Sequence, residues 1–120
     1  MLKKKFRLKK NTAFTATFKL RNCKSNEFVT VYRGKDKDKD NEAIPLKAGF
    51  VVGKKIHKRA VKRNKIKRRL REIYLEALRC GHAEKFENAL SVIFVARPKI
   101  LEVDFLTLKN SVFELMRNFK

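Results

Sequence analysis

The spacing of apolar positions changes repeatedly along this chain, and each spacing predicts an element. Phe14 and Phe18 lie four residues apart, with Ala13, Ala16 and Leu20 around them, which predicts a short helix over 12–19. Asn11 and Thr12 carry capping chemistry at its start. Residues 28–32 (FVTVY) are β-branched or aromatic, so they read as a strand closed by Arg33-Gly34. Period 2 puts Phe28, Thr30 and Tyr32 on one face and Val29 and Val31 on the other. A second strand region is expected over 43–52, where Pro45 suits a strand start and Gly49 points to a bulge or a close backbone approach.

Over 59–80 the period becomes helical, with Ile66, Leu70, Ile73, Tyr74 and Ala77 on one side and Leu78 alongside. Gly81 stands in the C′ position that ends such a helix. Residues 89–96 (ALSVIFVA) are almost wholly apolar, as in an interior strand covered on both faces, and Arg97-Pro98 stops them. Asp104 is a good N-cap for a last helix to about Asn118, whose Phe105, Leu108, Val112, Met116 and Phe119 form a core-facing stripe. The order is helix, strands, helix, strand, helix. With neither an internal repeat nor a Pro- or Gly-rich linker, the 120 residues read as one α+β domain, 1–120, with helices layered on a sheet.

Charge narrows the partners. The chain carries 32 Lys and Arg against 12 Asp and Glu, a formal net charge of +20 that favours a bound polyanion. Nucleic acid is the first expectation and an anionic membrane surface the second. A membrane role calls for about 20 continuous apolar residues or an amphipathic or lipid-modified anchor, and the sequence shows neither. The start MLKKKFRLKK has no apolar stretch after its cations, so a cytoplasmic location is expected. Residues 1–10 read as a basic, flexible arm, and 34–42, with the sign-alternating KDKDKD, as a flexible solvated loop.

Cys23 and Cys80 lack metal-binding spacing and read as free thiols. His57, among cations, suits a phosphate contact better than a general base. The acids are scattered without a motif, which argues against a protein nuclease acting alone and leaves no residue assigned as catalytic or metal-ligating.

Between Lys54 and Arg71, eleven of eighteen residues are Lys or Arg and none is acidic. On the helical wheel Asn64, Lys67, Arg68 and Arg71 fall opposite Ile66, with Arg63 and Lys65 on the flanks. A merely solvated helix face intersperses acids to form i,i+4 pairs, and none occurs before Glu72. Phosphate neutralisation accounts for the cations. Asn64 stands apart: its amide suits a base edge, a 2′-hydroxyl or water on a bound metal, or alternatively only caps the first turn.

These residues resemble the signature of the ribonuclease P protein component, an RN-x-x-KR-x-x-RE helix filled here by Arg63-Asn64, Lys67-Arg68 and Arg71-Glu72. Arg7 to Lys10 before Phe14 and Phe18 is similar to the family's opening, 49–52 to its second strand, and 92–98 to its IVVIARP-like strand. Where many members have Gly after the Lys pair, this chain reads Ile56-His57-Lys58-Arg59. The resemblance implies the order α-β-β-β-α-β-α: three helices on a four-stranded sheet, as in the second domain of a small-subunit ribosomal protein. It also implies a left-handed βαβ crossover, against the general chirality rule.

It further implies a division of labour. A large RNA subunit, using Mg²⁺, removes the 5′ leader from precursor tRNA. The protein binds that RNA through the basic helix and the loop before it, which carries over to Lys54, Lys55, Arg59, Lys62, Arg63, Asn64, Lys65, Lys67, Arg68 and Arg71. The single-stranded leader would lie in a cleft walled by Phe14, Phe18 and Tyr32, which the residues alone leave equally open to core packing. DNA and membrane are not among the implied partners. A ribosomal or other structural RNA-binding protein with no catalytic partner is the alternative.

Overall fold

The computed structural model describes residues 3–38 and 45–119. In chain order it contains α1 (Asn11–Lys19), β1 (Cys23–Ser25), β2 (Val29–Arg33), β3 (Lys47–Val51), α2 (Ala60–Arg79), β4 (Ser91–Ala96) and α3 (Phe105–Arg117). Short 3-10 turns occupy Lys4–Phe6, Glu84–Phe86 and Pro98–Glu102. The strands form one mixed sheet in the order β1-β2-β4-β3. Neighbours are antiparallel except β3 and β4, which run parallel and are joined through α2. That connection is the βαβ unit to which the family resemblance assigns a left hand.

The apolar run of β4 takes the interior place, with Phe94 opposite Val31 of β2 and Phe50 of β3. Alternation then gives the sheet two unlike faces. One carries Val29, Val31, Ala48, Val92, Phe94 and Ala96, which join Ile66, Leu70, Ile73, Tyr74 and Ala77 of α2 and Leu108, Val112 and Met116 of α3 in a single core. The other carries Thr30, Tyr32, Gly49, Ser91, Ile93 and Val95, and α1 is the helix packed on it. The predicted parity of the FVTVY strand holds, since Val29 and Val31 are fully buried while Thr30 and Tyr32 are half-buried.

Two glycines are needed where they stand. A Cβ on Gly49 would sit 2.6 Å from the Phe14 ring, so the close approach expected there is an aromatic side chain laid on β3. Gly81 adopts φ +78 after the C-cap Cys80, and His82 N–H reaches the Ala77 carbonyl at 2.9 Å, which closes α2 with a Schellman turn. Asp104 caps α3 as expected, its carboxylate accepting from Thr107 N–H at 3.3 Å.

Several expectations need correction. The helix α1 begins on the carbonyl of Lys10, which takes both Ala13 and Phe14 N–H groups, and its N-cap makes no side-chain hydrogen bond. Asn11 and Thr12 therefore do not cap it. Tertiary contacts hold it instead: Phe14 on Gly49, and Thr17 Oγ1 2.6 Å from Ser91 Oγ. The three-residue strand β1 carries no apolar alternation that could have located it. Leu78 is not docked but 43% exposed.

The two segments expected to be flexible make defined contacts where they are described. Leu8 is buried and donates to the Ala48 carbonyl at 2.8 Å, and Arg7 bridges Ala48 in parallel, so the arm lines the free edge of β3. Gly34 and Lys37 donate to Ser91 and Asn88, Leu90 donates to Lys35, and Arg33 closes on Asp36 at 2.7 Å. Positions 39–44, which complete the 34–42 loop and form the first two residues of the 43–52 strand region, lie outside the described residues.

Candidate nucleic-acid interface

Strand β3 ends at Val51, paired with Val95, and the chain then enters a turn in which Ile56 N–H donates to the Gly53 carbonyl at 3.0 Å. Ile56 packs against the core, leaving Lys54, Lys55 and Lys58 exposed. His57 Nδ1 accepts from Arg59 N–H at 3.1 Å, and Arg63 Nη1 donates to the carbonyls of His57 (3.0 Å) and Lys58 (2.8 Å). His57 thus has a structural contact at its Nδ1, which leaves Nε2 as the ring's donor. Arg63, expected on RNA, is partly engaged in holding the loop on the helix.

From Ala60 the helix docks through the residues that the wheel selects: Ile66, Leu70, Ile73, Tyr74 and Ala77 are all buried. Arg59, Lys62, Asn64, Lys65 and Arg68 are exposed, whereas Arg63, Lys67, Arg69 and Arg71 are half-buried. Asn64 lies beyond the first turn and among the described residues its amide makes no hydrogen bond, so it is not a cap. Among the described residues none of the eleven cations between Lys54 and Arg71 takes part in an ion pair. The first turn of α2 carries no acid and its N-cap has no side-chain hydrogen bond. Cations therefore crowd the positive end of the helix dipole, where each is unfavourable and an anion is favoured.

The second set lies on the other face of the sheet. Phe18 meets Tyr32 edge-on, with centroids 4.8 Å apart at 88°, and Phe14 lies 6.4 Å from Phe18. All three are half-buried. The register places Cys23 opposite Tyr32 and Val51 opposite Val95 on this same face of the sheet. Strand β3 leads from this sheet into the Lys54–Lys55 turn.

Sequence reasoning missed Val61, which is 76% exposed amid the cationic face, and the signal for it was an apolar residue on the outward side of the wheel. It also passed over Arg69. Cys23 and Cys80 are free and exposed, as expected. No helix among the described residues is long and apolar enough to cross a membrane.

The Ribonuclease P family model matches residues 2–120. The chain is 36% identical to the ribonuclease P protein component of Bacillus pumilus, over 97% of this chain and 89% of that one. It is 34% identical to the component from Mycoplasma mycoides subsp. mycoides, over 99% and 100%. Among solved structures, an RNase P protein from Staphylococcus aureus superposes with a TM-score of 0.73 at 28% identity, covering 93% of both chains. The RNase P protein from Thermotoga maritima gives 0.72 at 26% identity, covering 95% of this chain and 97% of that one. The chain belongs to the ribonuclease P protein family, as the RNA-binding protein subunit of that endoribonuclease.

Proposed function

We propose that this chain binds the catalytic RNA subunit of a bacterial ribonuclease P through the loop and helix from Lys54 to Arg71, and holds the 5′ leader of precursor tRNA against Phe14, Phe18 and Tyr32. The observation that carries this reading is the array of unpaired cations at the positive end of α2. A phosphate backbone relieves their mutual repulsion and releases condensed counterions on binding. Lys54, Lys55, Arg59, Lys62, Lys65, Lys67, Arg68 and Arg71 supply charge, Arg63 orders the loop and keeps donors to spare, and Asn64 offers a neutral donor and acceptor to a base edge or 2′-hydroxyl. The aromatic side chains suit a leader of any sequence, since every base presents a π-face.

The protein acts in the cytoplasm and contributes binding, while bond cleavage belongs to the RNA. In this reading Mg²⁺ serves the catalytic RNA. The reading is tested by the salt dependence of binding to a bacterial ribonuclease P RNA. Arg68→Ala should weaken binding and flatten the slope of log K against log salt by about 0.7 to 0.9, the contribution of one phosphate. A slope equal to that of the unaltered protein would contradict phosphate contact at Arg68.

A further inference from the structure

On the flank of α2 turned away from Lys67 and Arg71, the 3-10 turn Pro98–Glu102 packs beside the helix and leaves a pocket of about 380 Å³. Its lining divides by chemistry. Ile66 and Ile100, 7% and 3% exposed, form an apolar floor, and Leu101, 48% exposed, stands at the rim. Lys62, Lys65, Arg69 and the His57 ring complete the wall, and no acid lines it. Arg69 is half-buried, yet among the described residues its guanidinium makes neither a hydrogen bond nor an ion pair. Arg63, on the same helix, has carbonyl partners at 2.8 and 3.0 Å. A half-desolvated cation without a partner is unfavourable until something completes it.

We infer that this pocket receives one unstacked nucleobase of the bound RNA, with Arg69 on the base and Lys62 and Lys65 on the phosphates beside it. Phosphate attraction alone needs exposed cations and has no use for an apolar floor or an exposed leucine. A base has a flat apolar face for Ile66, Ile100 and Leu101 and a polar edge for a guanidinium. The volume lies at the low end of ligand pockets, about 300 to 1,000 Å³, which admits a nucleoside and excludes a paired helix. The recognised element is therefore a bulged or loop nucleotide. The inference rests on the RNA-binding reading above and adds to it a base contact on the Arg69 flank.

Chemical probing of a bacterial ribonuclease P RNA bound to the full chain tests it. The unaltered protein should protect one unpaired nucleotide that Leu101→Ser exposes again, the remaining footprint staying in place. Leu101 is exposed, so this variant keeps its fold, and a thermal melt checks that. Arg69→Gln should weaken binding about tenfold, as for loss of a charge-assisted hydrogen bond. Combined with Leu101→Ser it should cost less than the product of the two single effects, because both act on one base. A footprint unaltered by Leu101→Ser, or strictly multiplicative losses, would overturn the pocket while leaving RNA binding intact. A protein that leaves no footprint at all would sink the RNA reading and the pocket with it.

Discussion

Two aromatic clusters of three rings occupy opposite faces of the same sheet. Phe50 and Phe94 stack with centroids 5.4 Å apart at 10°, and Tyr74 meets them at 6.0 and 5.6 Å. Phe14, Phe18 and Tyr32 are joined by separations of 6.4 and 4.8 Å. Residue type and ring geometry thus fail to distinguish the clusters. Covering does: α2 and α3 roof the first, with Phe94 and Tyr74 only 1% and 2% exposed, while α1 alone adjoins the second. Burial pushes the Tyr74 phenol up, which keeps it neutral across the physiological range. One cluster lies under two helices in the core, and the other is half-buried beside a single helix.

Truncation is the largest way to break this comparison. Phe94→Ala should cost about 3 to 5 kcal/mol of stability through transfer and cavity effects, read as a shift of the urea midpoint. Phe18→Ala should cost less stability and instead weaken binding of a single-stranded leader by about 1 to 3 kcal/mol, one base stack. If Phe18→Ala destabilised as much as Phe94→Ala and spared leader binding, the second cluster would be core. The smallest effect concerns the roof itself. Thr107, through its side chain and its N–H, holds the Asp104 carboxyl below the usual carboxylate range.

A lowered folded pKa means that this stabilisation is present above the unfolded value, near 3.8, and fades as pH falls through the lowered one. Asp104→Ala should therefore lower the melting temperature modestly at neutral pH, with the difference shrinking in acid. The α1 end has no such side-chain cap. A difference that grew toward low pH would contradict the linkage.

Much of this architecture was legible in residue spacing, for identifiable reasons. The docked side of α2 obeys a helical period set by burial, and Gly49 and Gly81 mark positions where a Cβ or a negative φ is excluded. Contacts settled by chain path were not legible. Spacing alone separates neither Arg63, which reaches two loop carbonyls, from Arg69, which faces a pocket, nor Asn11 from Asp104 as a cap. The packing of Leu8 was not legible either, because six cations in ten residues masked one buried leucine. How far Phe14 and Phe18 are buried depends on which helices cover each face of the sheet, a property of the whole fold.

The most direct measurement reconstitutes this chain with a bacterial ribonuclease P RNA and a leader-bearing precursor tRNA at low Mg²⁺, and follows leader removal. The account predicts faster cleavage than by the RNA alone, with Phe14→Ala reducing that gain for leader-bearing substrate. Cleavage no faster than by the RNA alone, or activity from the protein that survives ribonuclease treatment, would contradict it.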